Sequence, residues 1–532
     1  MPRFPVIVAS FAALFSFSGG ANSEPQQHNI SPTREQTILK IQQLIETRDL
    51  NKADQLLTEA AEQFPADPGL DNLRGIVAAQ QGNYETARDS FRHAVERAPD
   101  FTNAYLNLGR LYQEHAAADP RALRSAVDTY RRVLRYDPEN AEANYQSAAV
   151  LLQLREYQHS LDRTAHLPRN IRSSAQTLSI VCADHAALGN RNAADEAAAQ
   201  LAANPDFSEG DFNQALPALA AAKRDDLAIS LLNALQNRHD LSPQLQRALG
   251  LAYERLDKLT EARAALEKSV TKETLSVPLL LDLARVAHKQ RDYQGALGYL
   301  AHARELEPDN ARLHYDFGLV CVDLNLVAEA RNSFEKAVKL EPDNPSYNYA
   351  MGAASTYRQD PEEAVPYFQK YLKLNPQDTR GKLALANAFF RAKNYDAALP
   401  WLKDAAKTPA TAAAAHYYLG SIALQEHRLD EAFQELSEAL KSTPDYPDAL
   451  AELGQYFFLQ KDYEQAEKQL RHALQIDPDH FRANFYLLSL YTRTSDPRRE
   501  EQAERFEDLQ KQRDEKAQEF LRIVQVRPFD SP

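Results

Sequence analysis

The sequence predicts an all-α protein in which about fourteen helix–turn–helix units stack one on another. A small residue, an Ala, a large apolar residue and a Pro recur at fixed places, 34 residues apart. In the most regular stretch the small residues are Gly250, Ala284, Gly318, Gly352, Ala386, Gly420 and Gly454, and the alanines are Ala262, Ala296, Ala330, Ala364, Ala398, Ala432 and Ala466. A fixed period of this length is typical of stacked repeats. Gly is scarce, at 16 of 532 residues, which favours helices with short turns over a sheet.

Residues 311–344 illustrate how one unit is expected to fold. Apolar residues at helical spacing predict two helices separated by a short turn. Gly318 on the first helix and Ala330 on the second are small, so the helices can approach closely. Phe334 is expected to fill the space between one pair and the next. Pro342 ends the second helix and directs the chain into the following unit.

This skeleton of Gly, Ala, aromatic residue and Pro resembles the tetratricopeptide repeat, which is a helix–turn–helix of 34 residues. Tyr293, Tyr395 and Tyr463, just inside the second helix, add to the resemblance. It covers residues 34 to about 510 and indicates an exported bacterial member of the family. The resemblance implies a right-handed α-solenoid superhelix whose concave groove is lined by the first helix of each unit. It implies a binding scaffold, and it does not identify a partner.

The N-terminus has the pattern of a secretory signal peptide. Arg3 precedes an apolar run over residues 4–17, and small residues follow, so cleavage is expected near Ala21 or Ser23. An uncleaved membrane anchor is the alternative interpretation, because the run is only slightly short of a spanning helix. We expect an exported protein, periplasmic or extracellular, without a transmembrane span after cleavage. Peripheral association with a membrane is compatible with this pattern.

The repeat pattern divides the chain into segments of different regularity. The predicted segments are a signal peptide (1–23), a flexible tether (24–33), N-terminal units one to three (34–140), degenerate units four to six (141–242), regular units seven to thirteen (243–480), the last unit with a capping helix (481–526) and a frayed tail (527–532). Five extra residues within 115–121 break the register of unit three. In the degenerate segment Pro217 falls within a first helix. We therefore expect irregular curvature, or a boundary between two arrays, in 141–242.

Composition and cysteine positions limit the classes of function. The net charge is −14 with 61 Lys and Arg, so the surface is mixed and mildly acidic, and nucleic acid is not an expected partner. Cys182 and Cys321 lie in units four apart, and stacked units contact only their neighbours. We expect no bridge between them, and each should be buried as a small apolar residue.

Motifs of catalysis and cofactor binding do not occur in the sequence. There is no phosphate-binding Gly loop, nucleophile elbow, paired-Cys metal motif or zinc-protease signature. The 14 His are scattered, and His93, His302 and His472 share one place in the repeat instead of converging on a metal. The sequence thus predicts a protein that is not an enzyme, with no metal and no cofactor.

Aromatic and Arg residues occupy the first-helix positions that the resemblance assigns to the groove. The candidate partner-binding residues are Arg285, Tyr315, Tyr349, Tyr357, Arg380, Phe390, Arg391, Tyr417, Phe458, Arg482, Phe485 and Arg493. Aromatic side chains with interspersed Arg are typical of binding hot spots. The alternative is that some of these rings fill gaps between adjacent units, because aromatic side chains also serve as core.

Two functions are compatible with these observations. The first is an exported, non-catalytic scaffold or adaptor that binds a protein or peptide in its groove, in envelope assembly, secretion or surface-polymer export. The second is a regulatory or substrate-recruiting subunit of a separate envelope enzyme, such as a transferase or hydrolase. The family resemblance suggests the second, because some relatives carry such arrays beside a catalytic domain in one chain.

Overall fold

The computed structural model describes residues 33–357 and 360–524, and the side chains in these ranges except those of 357 and 513–524. The predicted signal peptide, residues 24–32 of the predicted tether and the predicted tail lie outside the described residues. Every regular element in the described ranges is an α-helix. The predicted all-α repeat fold is therefore confirmed.

The chain divides into two compact units, Met1–Ala222 and Lys223–Pro532. The boundary lies inside the degenerate segment 141–242, where the sequence suggested irregular curvature or a junction. The helices of the first unit are α1 (Arg34–Glu46), α2 (Leu50–Gln63), α3 (Pro68–Gln80), α4 (Tyr84–Arg97), α5 (Thr102–His115), α6 (Ala122–Tyr136), α7 (Ala141–Gln153), α8 (Tyr157–Ala165), α9 (Arg169–Arg172), α10 (Ala175–Ala187), α11 (Arg191–Ala203) and α12 (Glu209–Ala221).

The second unit contains the regular array. Its helices are α13 (Asp225–Gln236), α14 (Pro243–Arg255), α15 (Leu259–Lys268), α16 (Val277–Lys289), α17 (Tyr293–Leu306), α18 (Ala311–Asp323), α19 (Val327–Leu340), α20 (Pro345–Tyr357), α21 (Pro361–Leu374), α22 (Thr379–Arg391), α23 (Tyr395–Ala405), α24 (Pro409–Gln425), α25 (Leu429–Ser442), α26 (Pro447–Leu459), α27 (Tyr463–Ile476), α28 (Phe481–Thr494) and α29 (Arg499–Val524). From α14 onward the even-numbered helices are the first helices of their pairs.

Close packing within a pair explains why the small residues recur. A Cβ atom added to Gly318 on α18 would lie 2.5 Å from the ring of Phe334 on α19. Ala330 and Phe334 are themselves buried. Gly420 and Gly454 face Leu436 and Leu470 in the same way, at 2.7 and 2.6 Å. A larger residue at these sites would force the two helices apart and destabilise the unit.

A left-handed residue ends the first helix of most pairs. Positive φ angles occur at Arg48, Arg155, Lys223, Asp257, Arg291, Asn325, Lys393, His427, Lys461 and Ser495. At Asn325 the backbone N–H donates to the carbonyl of Val322 at 2.9 Å, and the N–H of Leu326 donates to that of Cys321 at 2.7 Å. These two bonds form a Schellman motif, which satisfies the last carbonyls of the helix. They offset the cost of placing a non-Gly residue there, about 1–2 kcal/mol.

The degenerate segment is helical but uneven. The helix α8 is short, and the single-turn helix α9 follows it. Pro217 lies inside α12 without ending that helix. The extra residues of unit three form the turn between α5 and α6, and the ring of His115 stacks on Tyr84 with centroids 3.6 Å apart. Cys182 and Cys321 are both buried, as predicted for small apolar residues.

The array ends in a helix that covers the last pair. Phe506 on α29 contacts the rings of Phe481 and Phe485 on α28, with centroids 4.9 and 5.8 Å apart. Leu509, three residues further along α29, is also buried. The remaining apolar residues of the predicted capping seam, from Ala517 onward, lie outside the described side chains. None of the helices in the described ranges is long and apolar enough to cross a membrane.

Candidate functional site: an apolar cavity on the first-helix face

A cavity of about 550 Å³ opens on the first-helix face of the second unit. We call it the α18–α20 cavity. It is lined by Tyr315, Leu319, Val322, Asn325, Val327, Ala330, Phe334, Ser346, Tyr349, Ala350, Ala353, Ala354, Tyr371, Asp378 and Arg380. Its walls come from α18, α19 and α20, and α21 and the start of α22 close one side. Its volume lies in the range of sites that hold ligands or side chains.

Apolar side chains on the cavity wall remain open to solvent. Leu319 is 41% exposed and Val322 is 53% exposed. These two residues follow Gly318 by one and four positions, so they lie on one face of α18. The helices on either side do not cover this face, and it is therefore available for contact with another molecule.

Two Tyr rings form the floor of the cavity. Tyr315 packs against Tyr347 and Phe334, with centroids 5.0 and 5.9 Å away. Tyr349 makes edge contacts with Phe368 and Tyr371, at 5.5 and 5.1 Å. Burial raises the pKa of both Tyr315 and Tyr349, so both phenols are uncharged at neutral pH. The rings both pack between units and line the cavity.

The mouth of the cavity carries one acidic and one basic side chain. The hydroxyl of Tyr371 donates a hydrogen bond to Asp378, and the backbone N–H of Arg380 donates to Oδ1 of Asp378 at 3.1 Å. Burial and the bond to Asp378 raise the pKa of Tyr371 to about 12. The guanidinium Nε of Arg380 lies 3.8 Å from Oδ1 of Asp378, beyond hydrogen-bonding distance, and Arg380 is exposed.

A second cavity, of about 480 Å³, lies on the first-helix face of the first unit. Its lining includes Ile76 and Ala79 from α3 and Arg110 from α5. Ile76 and Ala79 follow Gly75 by the same one and four positions that separate Leu319 and Val322 from Gly318. The sequence-based candidates come only from the C-terminal half, so they miss this cavity. Extending the same register to the N-terminal units would have found it.

Comparison with known sequences decides the family. Profiles described as tetratricopeptide repeat match residues 287–354 and 423–493 in one case, 40–102, 72–118 and 349–412 in a second, and 248–271 in a third. Together the matched residues make up more than half of the chain. The chain belongs to the tetratricopeptide repeat family.

Individual relatives share parts of this repeat array. Human protein O-mannosyl-transferase TMTC3 is 26% identical over 247 residues, which are 45% of this chain and 26% of that protein. The match thus spans about a quarter of that relative's length. Yeast Tom70 is similar in structure with a TM-score of 0.33 and 16% identity, over 92% of this chain and 96% of that one. A tetratricopeptide repeat protein from Parabacteroides merdae gives 0.39 and 16%, over 47% and 98%. At these identities the structural likeness concerns the fold alone.

The structure brings three of the predicted groove residues together at one tetratricopeptide repeat cavity. Tyr315, Tyr349 and Arg380 all line the α18–α20 cavity. Tyr357 was also a candidate, and its side chain lies outside the described residues. Leu319 and Val322 were not among the candidates, because the prediction was restricted to aromatic and Arg residues.

The other predicted aromatic residues differ in exposure. Tyr417 is buried between repeats, beside Tyr418 and Tyr446. Phe390 is half-buried against Tyr395 and Tyr418, with centroids 5.7 and 5.1 Å away, and Phe458 is half-buried against Tyr463 at 6.0 Å. Phe485 is 46% exposed. Packing between repeats therefore accounts for Tyr417, whereas Phe485, which contacts Tyr486 and Phe506, keeps part of its ring exposed.

The predicted Arg residues fall into two groups. The guanidinium of Arg285 donates to Glu254 at 2.7 Å and to Asp282 at 2.8 Å. Arg482 donates to Glu452 at 2.6 Å and to the hydroxyl of Tyr417 at 3.0 Å. Arg391 and Arg493 are exposed, and no ion pair is formed by either with a described carboxylate. The first group holds neighbouring repeats together, and the second is available to a ligand.

Side chains that could bind a metal ion do not cluster in the described part of the array. Within the described ranges, no three His, Cys, Asp or Glu side chains come together in a way that could hold a metal ion. The arrangement of the α18–α20 cavity, apolar with a charged mouth, suits recognition of side chains by contact and hydrogen bonding.

Proposed function

We propose that this tetratricopeptide repeat protein is a scaffold that holds a segment of a partner protein on the first-helix face of its second unit. The observation that carries this proposal is the α18–α20 cavity, whose wall keeps Leu319 and Val322 exposed. A folded protein gains about 1.5–3 kcal/mol for each side chain of this size that it buries. Burial of Leu319 and Val322 by a partner segment would stabilise the complex by this free energy. Tyr315 and Tyr349 would form the floor of the cavity beneath the segment.

Charged substitutions on the cavity wall test this function. We expect the double variant Leu319→Arg, Val322→Arg to bind the partner at least about tenfold more weakly, because it places charge in an apolar contact. The partner is identified first by crosslinking in the native organism, and its affinity for the purified chain is then measured by titration. The matched control is Leu374→Arg, Ile476→Arg, which introduces the same charges at exposed apolar residues near the ends of second helices. Equal affinity of the two double variants would remove the cavity from the proposed function.

We further propose that the protein is exported and acts in the cell envelope, in assembly, secretion or surface-polymer export. The support is the sequence pattern of Arg3, the apolar run at 4–17 and the small residues after it. N-terminal sequencing of the protein from fractionated cells is expected to begin at Asn22 or Glu24. Recovery of the intact N-terminus from the membrane fraction would instead support the anchor interpretation.

A second candidate function is a substrate-recruiting or regulatory subunit of a separate transferase or hydrolase. The match to part of the human O-mannosyl-transferase TMTC3 favours a transferase among these classes. In both candidates the chain contributes binding and no catalysis. Co-purification of a transferase activity that is lost with the Leu319→Arg, Val322→Arg variant would favour the second candidate. Co-purification of structural envelope proteins alone would favour the first.

A further inference from the structure

Resting on the function proposed above, we propose that the α18–α20 cavity selects segments in which a bulky apolar side chain lies close in sequence to an Asp or Glu. The apolar side chain would fill the cavity, and Arg380 at its mouth would bind the carboxylate. The partner would pass along the first-helix face as a continuous internal segment.

Arg380 is the basic group at the cavity mouth, where it forms a long ion pair with Asp378 and no hydrogen bond from its guanidinium to a described group. Oδ1 of Asp378 lies 3.8 Å from its Nε. Asp378 is already engaged by the Tyr371 hydroxyl and the backbone N–H of Arg380. Burial opposes ionisation of Asp378, yet these hydrogen bonds and the positive charge of Arg380 hold its pKa below the usual range. Asp378 therefore stays ionised and occupied, while the Arg380 guanidinium keeps its donors for a ligand carboxylate.

The acidic residues of α18 are also paired within the chain. Both oxygens of Asp316 accept hydrogen bonds from Nε of Arg312 at 2.8 Å. Asp323 contacts the ring of His288 at 2.8 Å. The hydrogen-bond partners of Asp378 are neutral donors, so its charge still faces that of Arg380 at 3.8 Å, and the mouth carries no excess positive charge. The guanidinium Nε of Arg380 nevertheless lies beyond hydrogen-bonding distance of Asp378, and a carboxylate on the partner can engage the guanidinium N–H donors.

The first-helix face continues on both sides of the cavity, which favours an internal segment over a chain terminus. On one side lies α16, and on the other α22 continues to the exposed Arg391. A segment can therefore run past the cavity in both directions, and Arg391 adds a second positive charge on the α22 side. An Arg–carboxylate pair can be bidentate, so a side-chain carboxylate meets the geometry that Arg380 offers.

A peptide library tests the selectivity directly. The probe is a set of synthetic peptides, acetylated and amidated at their ends, with a fixed central Phe and mixed residues at the three positions on each side. The immobilised full chain is expected to enrich Asp and Glu about tenfold over Asn and Gln on one side of the Phe. The variant Arg380→Gln should lose this enrichment and still retain apolar peptides. The control Arg499→Gln, an exposed Arg on α29, should behave as the unmodified chain.

Other outcomes would separate this inference from the proposed function. Retention of peptides without acidic enrichment, or with enrichment unchanged in Arg380→Gln, would overturn the inference and leave the function intact. A parallel library with free C-termini that is retained only through a terminal carboxylate would also overturn it. If the unmodified chain retained no more peptide than the Leu319→Arg, Val322→Arg chain, this result would contradict the proposed function itself. Arg380 is exposed, so equal thermal unfolding of Arg380→Gln and the unmodified chain serves as the folding control.

Discussion

Replacing Asp184 by Asn is expected to remove a steep fall in stability between pH 4 and pH 8. Asp184 lies on α10 with 0% exposure, and neither of its carboxylate oxygens has a hydrogen-bond partner among the described groups. The nearby Ser160 hydroxyl, which opposes the effect of burial, donates to the Ala148 carbonyl at 3.0 Å. Burial raises the pKa of Asp184 from 3.8 to about 8. The folded protein therefore keeps this proton through most of the neutral range.

The sign of the effect follows from proton binding. Between pH 4 and 8 the unfolded chain has released this proton and the folded chain has not, so stability falls as pH rises. The slope is about 1.4 kcal/mol per pH unit, or roughly 5 kcal/mol over the range. The Asn variant lacks the titrating group, so its free energy of unfolding should lose this slope.

Urea unfolding of both chains at several pH values measures the effect. The difference between the two curves isolates Asp184, because other titrating groups, such as His185, are present in both chains. The Asn amide is also buried, and its cost displaces the variant's curve without changing its slope. The control Asp162→Asn replaces an exposed carboxylate on α8 and should leave the pH dependence unchanged. A parallel pair of curves for Asp184→Asn and the unmodified chain would show that Asp184 is ionised in the folded protein.

Replacing Arg482 by Met is expected to destabilise the C-terminal repeats by about 3 kcal/mol. Its guanidinium on α28 is bonded to Glu452 on α26, which is 2% exposed. Burial raises the pKa of Glu452, and the positive charge of Arg482 opposes that shift. Without Arg482 a buried carboxylate would lose its charged partner. The raised pKa means that the loss of stability should grow as the pH rises.

A double variant separates the ion pair from the bulk of the side chains. Glu452→Leu combined with Arg482→Met removes both charges, and its free energy of unfolding should recover most of the loss. Arg493→Met serves as the exposed control on the same helix and should change stability by less than about 0.5 kcal/mol. A single Arg482→Met variant as stable as that control would show that Glu452 is neutral or is satisfied in another way.

The fold could be predicted from the sequence because the same contact recurs in register. Gly318 faces Phe334 at a distance where no Cβ fits, and Gly420 and Gly454 face Leu436 and Leu470 in the same way. Each unit therefore repeats the requirement for a small residue, and the period of 34 becomes visible in one sequence. The repeat pattern did not predict the structure around Pro217, which lies inside α12 and does not end that helix. In a degenerate unit, local contacts decide where the helices end, and a single sequence does not reveal these contacts.

The candidate site was predictable only in part, since burial depends on the neighbouring unit. Tyr349 and Tyr417 occupy the same place in their repeats, yet Tyr349 lines the cavity and Tyr417 is buried beneath Arg482. The side chains of the adjacent helices decide between these outcomes, and the period does not encode them.

The Arg ion pairs between repeats share a spacing in the sequence. Ion pairs link residues 30 or 31 apart, one helical turn less than the repeat: Asp225 with Arg255, Glu254 with Arg285, Glu452 with Arg482, and Glu467 with Arg498. In each pair an acid in one repeat meets an Arg in the next. Arg285 and Arg482 fit this spacing. Arg391 and Arg493 also follow Asp360 and Asp462 by 31 residues and form no ion pair with a described carboxylate, so the spacing alone does not separate paired from unpaired Arg residues.

Site-specific photo-crosslinking in the native organism is the most direct test of the first-helix cavity as the partner-binding site. A photoreactive amino acid is placed at Val322 on the cavity wall, and in a control chain at Lys403, an exposed residue of the second helix α23. Our account predicts a discrete crosslinked partner at Val322, suppressed when Leu319→Arg is added, and no such partner at Lys403. A partner captured at Lys403 and absent at Val322 would contradict it.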